Sequence, residues 1–310
     1  MKKTFSDCPC QRAIDTEHKD LLREFRRIRK QCPALREVLV PGPILSEFEE
    51  ACNAAPDNAR HRSILLLALE RGYLNRITSP IHSYVLKNDK PKNELTKQYR
   101  QDLQERWLRN DSEIERHRRS RIFQGRLCEL QCAEWIEKQG WKITDLEALG
   151  GSQDIEARSP DGTEYSIEVK YIGQEDTDFL SLVNSLKGRS EARSVSPYVA
   201  CNFMLFRVYE ATKQFEESTQ ARIAMLVISD MTWERFDLQL KDNWIDWKSP
   251  RFYNRDQIWQ NFLQEQKKRY PDIENNLQTA LNSVTELWII RSKNGFEYSK
   301  EHVVPLSGCT

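Results

Sequence analysis

Residues 154–171 read DIEARSPDGTEYSIEVKY, and this stretch decides the class of fold. Two runs in which polar and apolar residues alternate flank SPDG at 159–162, which has the composition of a tight turn. The pattern predicts an antiparallel hairpin. A turn centred within 159–162 brings Asp154 opposite Glu168.

Alternation separates the side chains of this hairpin onto two faces. The apolar face collects Ile155, Ala157, Tyr165, Ile167 and Val169. The polar face collects Asp154, Glu156, Arg158, Glu164, Ser166, Glu168 and Lys170. A half-exposed hairpin with a solvated outer face has the same pattern, so the pattern alone does not indicate a site.

The polar face nevertheless places two carboxylates side by side. The Cβ atoms of Asp154 and Glu168 would lie roughly 5 Å apart, and like charges at that separation repel unless something neutralises them. A hard cation such as Mg²⁺ does so, because it binds carboxylates and keeps water molecules for a phosphate substrate. Lys170 follows on the same face, where an ammonium group could position water and stabilise charge on a phosphate.

The periodicity changes after Gly140, which is typical of a helix end. The following stretches predict a strand at 141–146, a helix at 197–217, a buried strand at 222–229, two short helices within 256–283, and a last hairpin at 286–298. The succession of one helix, three strands, a helix and a strand predicts a mixed α/β core with a helical crossover.

Residues 1–115 have a different pattern. Their apolar periodicity predicts short helices, and the stretch from Glu94 to about Gln139 predicts a long helix bent near Gly125. We therefore divide the chain into an all-helical region, 1–115, for target or partner binding, and an α/β domain, 116–310.

The helix before the first strand carries Glu129 within FQGRLCEL at 123–130. A helical Glu, then Asp154, then the Glu168-Val169-Lys170 element is an arrangement that resembles the PD-(D/E)XK nuclease superfamily. The resemblance covers about residues 118–230 and does not extend to the first 115 residues.

The resemblance implies a restriction-endonuclease-like fold, in which helices flank a mixed sheet. It also implies that Asp154, Glu168 and the carbonyl group of Val169 bind Mg²⁺, for which Mn²⁺ would substitute. By the same analogy, Glu129 supports the metal site and Lys170 assists the attacking water.

Two features depart from the family pattern. Gln153 replaces the family's Pro, and a polar stretch of about two dozen residues, 173–196, delays the next helix.

DNA is the substrate that the resemblance implies, and restriction, phage defence or repair are the settings that it implies. Cutting both strands of a duplex commonly uses two active sites, which favours a homodimer.

RHRRSR at 116–121 is the densest basic run of the chain. Its arginines and one glutamine of the later helix are candidate nucleic-acid contacts: Arg116, Arg118, Arg119, Arg121 and Gln214. A solvated helix face explains the run as well. The chain has no net charge, but residues 1–120 hold 24 Lys and Arg against 18 Asp and Glu, so a basic face is compatible with neutrality.

Composition excludes several other classes of protein. The longest strongly apolar run is residues 64–69, far shorter than the roughly 20 residues of a membrane span. No apolar segment follows the basic start, so we expect a cytoplasmic protein whose eight cysteines are free thiols. The sequence has no Gly-x-x-x-x-Gly-Lys motif of a nucleotide triphosphatase.

Two main hypotheses follow. In the first, the protein is a Mg²⁺-dependent nuclease that hydrolyses DNA. In the second, it is a catalytically silent nucleic-acid-binding or assembly subunit with a nuclease-like fold. A third interpretation, an interaction subunit of a larger defence complex, predicts no affinity for nucleic acid without a partner.

Overall fold

The computed structural model describes residues 23, 27, 30–39, 77–87, 92–105, 113–173, 197–215, 220–230, 232–233, 245–254, 256–293 and 297–306. Within these residues the strands form one six-stranded sheet. The strands are β1 Lys142–Leu146, β2 Ile155–Arg158, β3 Glu164–Ile172, β4 Ala221–Ser229, β5 Glu286–Lys293 and β6 Glu297–Pro305.

The strands follow one another across the sheet in chain order. The three central strands, β3, β4 and β5, are parallel, whereas β1, β2 and β6 pair antiparallel with their neighbours. Parallel neighbours require a crossover connection, and a helix lies between β3 and β4 in the chain. The predicted mixed α/β class is confirmed.

The α-helices are α1 Glu94–Glu105, α2 Glu113–Lys138, α3 Pro197–Thr212, α4 Gln257–Gln266 and α5 Ile273–Asn282. Shorter helical turns are formed by Ala34–Leu39, Ile81–Val85 and Glu147–Leu149. The two short helices predicted within 256–283 are confirmed as α4 and α5. The predicted polar stretch lies outside the described residues from 174 to 196.

The register of the central hairpin is the predicted one. Ile155 pairs with Ile167 and Arg158 pairs with Glu164. Asp154 lies one residue before β2, so it is positioned by the first of these pairs.

Strand β4 is buried on both faces of the sheet. Ile223, Met225 and Val227 belong to a hydrophobic cluster with α2, which we call the α2-side core. The alternating residues Ala224, Leu226 and Ile228 belong to a second cluster with α3, the α3-side core. A strand covered on both faces has a continuous apolar sequence, which explains the uninterrupted run at 222–229.

The described part of the helical region shares the α2-side core. Ala34, Val38, Ile81, Tyr99 and Leu103 are buried in the same cluster as the apolar residues of α2 and β4. The predicted boundary between 115 and 116 stays a prediction, and it falls inside α2.

Two predicted boundaries are wrong. The helix predicted to reach residue 217 ends at Thr212, and the amide of Gln214 donates to the carbonyl of Ala211 in a turn beyond that end. The last strand extends to Pro305 instead of ending at residue 298. Its sequence lacks clear alternation, because an edge strand is held by backbone pairing to β5 and needs fewer buried side chains.

The conformations of Gly140 and Gly125 predict opposite effects of an alanine substitution on stability. Gly140 ends α2 with a φ of 87°, and the amide of Trp141 donates to the carbonyl of Ile136 across it. Ala costs about 1 kcal/mol in this left-handed conformation. A Cβ at Gly125, inside α2, meets no atom within 4 Å, so Ala there stabilises the helix by about 0.5–1 kcal/mol.

We expect Gly140→Ala to lower, and Gly125→Ala to raise, the free energy of unfolding in urea. Equal shifts of the same sign in the two variants would contradict the placement of Gly140 at the end of α2 and of Gly125 inside it.

Candidate metal and catalytic site

The end of the hairpin's polar face that carries Asp154 and Glu168 is buried, whereas the other end, with Arg158 and Glu164, is exposed. Asp154 is 6% exposed and Glu168 is 1% exposed. The reason is the position of β3 in the middle of the sheet, next to β4, where its polar face points into the interior. A surface hairpin would have left these carboxylates in water, so the burial favours a site over a solvated face.

Three carboxylates meet at the start of this hairpin. Glu129 from α2, Glu147 from the turn after β1, and Asp154 before β2 each bring a carboxylate oxygen within 4.8 Å of the other two. Three separate elements therefore converge on one point. Among the residues that the structure describes, this is the group with the spacing of a metal site.

Arg126 provides the nearest positive charge to this cluster. Its Nη1 donates to Glu129 Oε2 at 3.2 Å, its Nη2 donates to Glu147 Oε1 at 3.0 Å, and its Nε donates to Asp102 Oδ2 at 3.0 Å. The guanidinium also lies 4.7 Å from the ring centre of Tyr99. One side chain of α2 thus links α1, α2 and the turn after β1.

Lys170 lies on the other side of Asp154. Its Nζ is 3.7 Å from Asp154 Oδ2 and donates to Glu168 Oε2 at 3.3 Å. It also donates to the carbonyl of Val169 at 3.3 Å. The backbone amide of Val169 donates to Asp154 Oδ2 at 2.8 Å, which fixes the aspartate against β3.

Burial controls the protonation of these groups. Desolvation raises the pKa of Glu129 to about 8, although the charge of Arg126 opposes the shift. Burial likewise raises the pKa values of Glu168 and Glu147. Burial alone would lower the pKa of Lys170, but the nearby carboxylates, Asp154 first, raise it. Lys170 therefore stays charged, while the carboxylates are short of positive partners.

Four of the predicted site residues are brought together. Asp154, Glu168, Lys170 and the backbone of Val169 contact one another directly. Glu129 lies in the carboxylate cluster, whereas Glu168 is not one of its three members. The third member of the cluster is Glu147, which the sequence did not predict.

Gln214 approaches the site through its backbone. Gln153, which stands where the PD-(D/E)XK pattern has Pro, donates from Nε2 to the Gln214 carbonyl at 3.4 Å. The side chain of Gln214 is exposed, and the residue lies beyond the end of α3 and not within the predicted helix.

The basic run lies on α2, N-terminal to the cluster. The positions of Arg116, Arg118, Arg119 and Arg121 are roughly 12–20 Å from Glu129 along the helix axis. Arg118 is half-exposed and pairs with Glu115, whereas the Arg119 side chain is 15% exposed. Arg121 is partly buried, and the Arg116 side chain is not among those described.

Sequence reasoning missed Arg126, Glu147 and Asp102. Arg126 precedes Glu129 by three residues, which is a spacing at which helical side chains meet, so this pair had a local signal. Glu147 directly follows a predicted strand. Asp102 had no local signal, because only the packing of α1 against α2 brings it to the site.

Comparisons with models of protein families, with curated proteins and with solved structures found no match for this chain. Across the described part of the chain, no helix combines the length and the apolar character needed to cross a membrane.

Removal of Arg126 should destabilise the protein strongly. Arg126→Met leaves the buried carboxylates of Asp102, Glu129 and Glu147 without their shared partner, which we expect to cost about 3–5 kcal/mol of unfolding free energy. Arg118→Met is the matched control on the same helix, because its pair with Glu115 is half-exposed and should cost less than about 1 kcal/mol. Urea unfolding measures both, and equal losses would contradict the network.

The raised pKa of Glu129 predicts how the stability of the metal-free protein depends on pH. Its pKa is raised from 4.5 to about 8 in the folded protein, so folding favours the protonated carboxyl group. Its contribution to stability is present at low pH and is lost as the pH rises towards 8. Glu129→Gln mimics the protonated form.

We expect the wild-type protein in EDTA to lose more unfolding free energy between about pH 5 and pH 8 than Glu129→Gln does. Urea unfolding at several pH values measures this difference. Identical pH profiles for the two proteins would show that Glu129 is ionised throughout.

Proposed function

We propose that this protein is a metal-dependent nuclease that hydrolyses phosphodiester bonds of DNA, with a restriction-endonuclease-like fold. The observation that carries the proposal is the convergence of Glu129, Glu147 and Asp154 within 4.8 Å, with the Lys170 ammonium 3.7 Å from Asp154. Buried carboxylates from separate elements are expensive to assemble, and such clusters are typical of functional sites.

The donor set fits a hard divalent cation. All three side chains offer carboxylate oxygens, the ligands that Mg²⁺ and Mn²⁺ prefer. When all its carboxyl groups are ionised, the site is unbalanced: Asp102, Glu129, Glu147, Asp154 and Glu168 face Arg126 and Lys170. A divalent cation would offset most of this excess.

Glu129, Glu147 and Asp154 would hold the ion, and Glu168 would contribute from the adjacent position on β3. A bound Mg²⁺ supplies a polarised phosphate and a more acidic water molecule. Lys170 stays protonated, so its role is to donate hydrogen bonds to the attacking water or to a phosphate oxygen. We propose direct attack of water on phosphorus, as the sequence resemblance implies.

The choice of DNA rests on that resemblance alone, and the arginines at the N-terminal end of α2 would contact the phosphates of either nucleic acid. Of the run's arginines whose side chains the structure describes, Arg118 is the exposed one and is the candidate for a contact with backbone phosphate. Restriction or phage defence, and a homodimer with two active sites, remain predictions of the same resemblance.

Cleavage of supercoiled, linear and single-stranded DNA, with RNA alongside, tests the proposal with Mg²⁺ or Mn²⁺ and with EDTA. We expect metal-dependent cleavage that Asp154→Asn and Lys170→Met each reduce by about 10²–10⁴-fold. Glu164→Gln is the matched control, because it lies at the far end of the same hairpin and pairs with Arg158 at the surface. It should retain wild-type activity.

Cleavage that survives both site variants would place the activity elsewhere or in a contaminant. Calorimetry adds a separate measurement: Mg²⁺ or Mn²⁺ should bind the wild-type protein and not Asp154→Asn. The absence of metal binding by the wild-type protein would refute the metal site.

One observation favours the alternative, a catalytically silent nucleic-acid-binding or assembly subunit. Arg126 already contacts two of the three clustered carboxylates, and so supplies countercharge without a metal. In that case Asp154→Asn leaves DNA binding unchanged and no protein cuts, whereas reversing the charges of Arg118 and Arg119 abolishes binding.

A further inference from the structure

One recess of the molecule, apart from the carboxylate cluster, is lined mainly by aromatic rings. It has a volume of about 520 Å³ and is lined by Trp135, Ile136, Gln139, Trp141, Trp288, Tyr298 and Lys300. This volume lies within the range of small-ligand pockets, roughly 300–1,000 Å³. The lining comes from the C-terminal end of α2, the residue before β1, and strands β5 and β6.

Three indole rings line the recess, and two of them pack against the third. The third ring is that of Trp288, which is 3% exposed. Trp135 and Trp141 stand nearly perpendicular to it, at 86° and 87°, with centroid distances of 6.4 and 5.5 Å. Trp135 and Trp141 are only partly buried, so part of each residue is open to solvent.

Lys300 brings a positive charge into this recess. Its Nζ lies 3.2 Å from the centre of the Trp288 ring and 5.9 Å from that of Trp135. Partial burial against the rings lowers the pKa of Lys300, and Glu286 opposes this shift. The carboxylate of Glu286, which accepts a hydrogen bond from Trp288 Nε1 at 2.6 Å, is the negative charge that acts on this ammonium.

The charge also selects the kind of ligand. Aromatic cages without a lysine bind organic cations, but here a cationic ligand would be repelled by Lys300. A planar ring stacks on indole faces, and an attached anion pairs with the ammonium. The hydroxyl of Tyr298 donates to Gln131, and Lys300 is the lining residue that brings a positive charge to the recess.

We propose that this recess binds a nucleotide, with the base stacked on the indole ring of Trp135 and the phosphate on Lys300. The chemistry is the same for a free nucleotide and for an unpaired nucleotide of a strand. Trp135 lies about 9 Å along α2 from Glu129, on the side away from the basic run. The recess is therefore separate from the carboxylate cluster, and its binding does not depend on the proposed hydrolysis.

Titration of tryptophan fluorescence in EDTA tests the proposal, because no metal-dependent cleavage occurs there. The probes are thymidine 5′-monophosphate, thymidine, deoxyribose 5-phosphate and an oligothymidylate of roughly ten nucleotides. We expect thymidine monophosphate to bind more tightly than either fragment. Tighter binding of the oligonucleotide would identify a strand as the source, and similar affinity would identify the free nucleotide.

Two variants assign the binding to the recess. Lys300→Gln, at an exposed residue, should weaken thymidine monophosphate about tenfold and leave thymidine unchanged, since about 1.4 kcal/mol of ion pairing is a factor of ten. Trp135→Leu should weaken both by about fivefold or more. Trp259→Phe, in the α3-side core, is the control and should bind like the wild-type protein.

The proposal is overturned if the wild-type protein binds none of these probes, or if Lys300→Gln binds thymidine monophosphate as tightly as the wild type. Equal affinity for thymidine monophosphate and deoxyribose 5-phosphate would also overturn it, because binding would then need only charge. Circular dichroism confirms that each variant is folded. DNA cleavage without nucleotide binding would reject the recess and leave the proposed nuclease intact.

Discussion

The guanidinium of Arg126 is the interaction on which the carboxylate cluster depends. It donates to Asp102 of α1, to Glu129 of its own helix and to Glu147 after β1. Without a shared cation, three acids from three elements would repel one another in a buried space. The same residue anchors α1 a second time, because its backbone carbonyl accepts the hydroxyl of Tyr99. The geometry of the site and the docking of α1 therefore have one cause.

The second constraint is the position of β3 within the sheet. A polar face is ordinary on an edge hairpin, but the parallel pairing of β3 with β4 moves Glu168 and Lys170 into the interior. Their contacts with Asp154 and with the Val169 backbone compensate part of the cost of burial. Apolar residues of similar volume would be less costly there, and these buried charges are one reason for the catalytic role that we propose.

Helix α2 organises the molecule along its length. The basic run with Arg118 lies at its N-terminal end, Arg126 and Glu129 lie near its middle, and Trp135 lies near its C-terminal end. Its 26 residues span about 39 Å. Candidate phosphate contacts, the carboxylate cluster and the aromatic recess are therefore held in fixed order on one rigid element.

The sequence by itself determined the hairpin and its register, because alternation and a tight turn are local signals. It also determined β4 and the helix end at Gly140. Only the tertiary structure decided that Glu147 and Arg126 complete the cluster, that Asp102 joins it from α1, and that the aromatic rings around Lys300 form a recess. These groups are far apart in the chain or lie on different elements, and packing alone brings them together. Periodicity reports which face of an element is apolar, whereas the distance between two charged groups on different elements depends on how the whole core is filled.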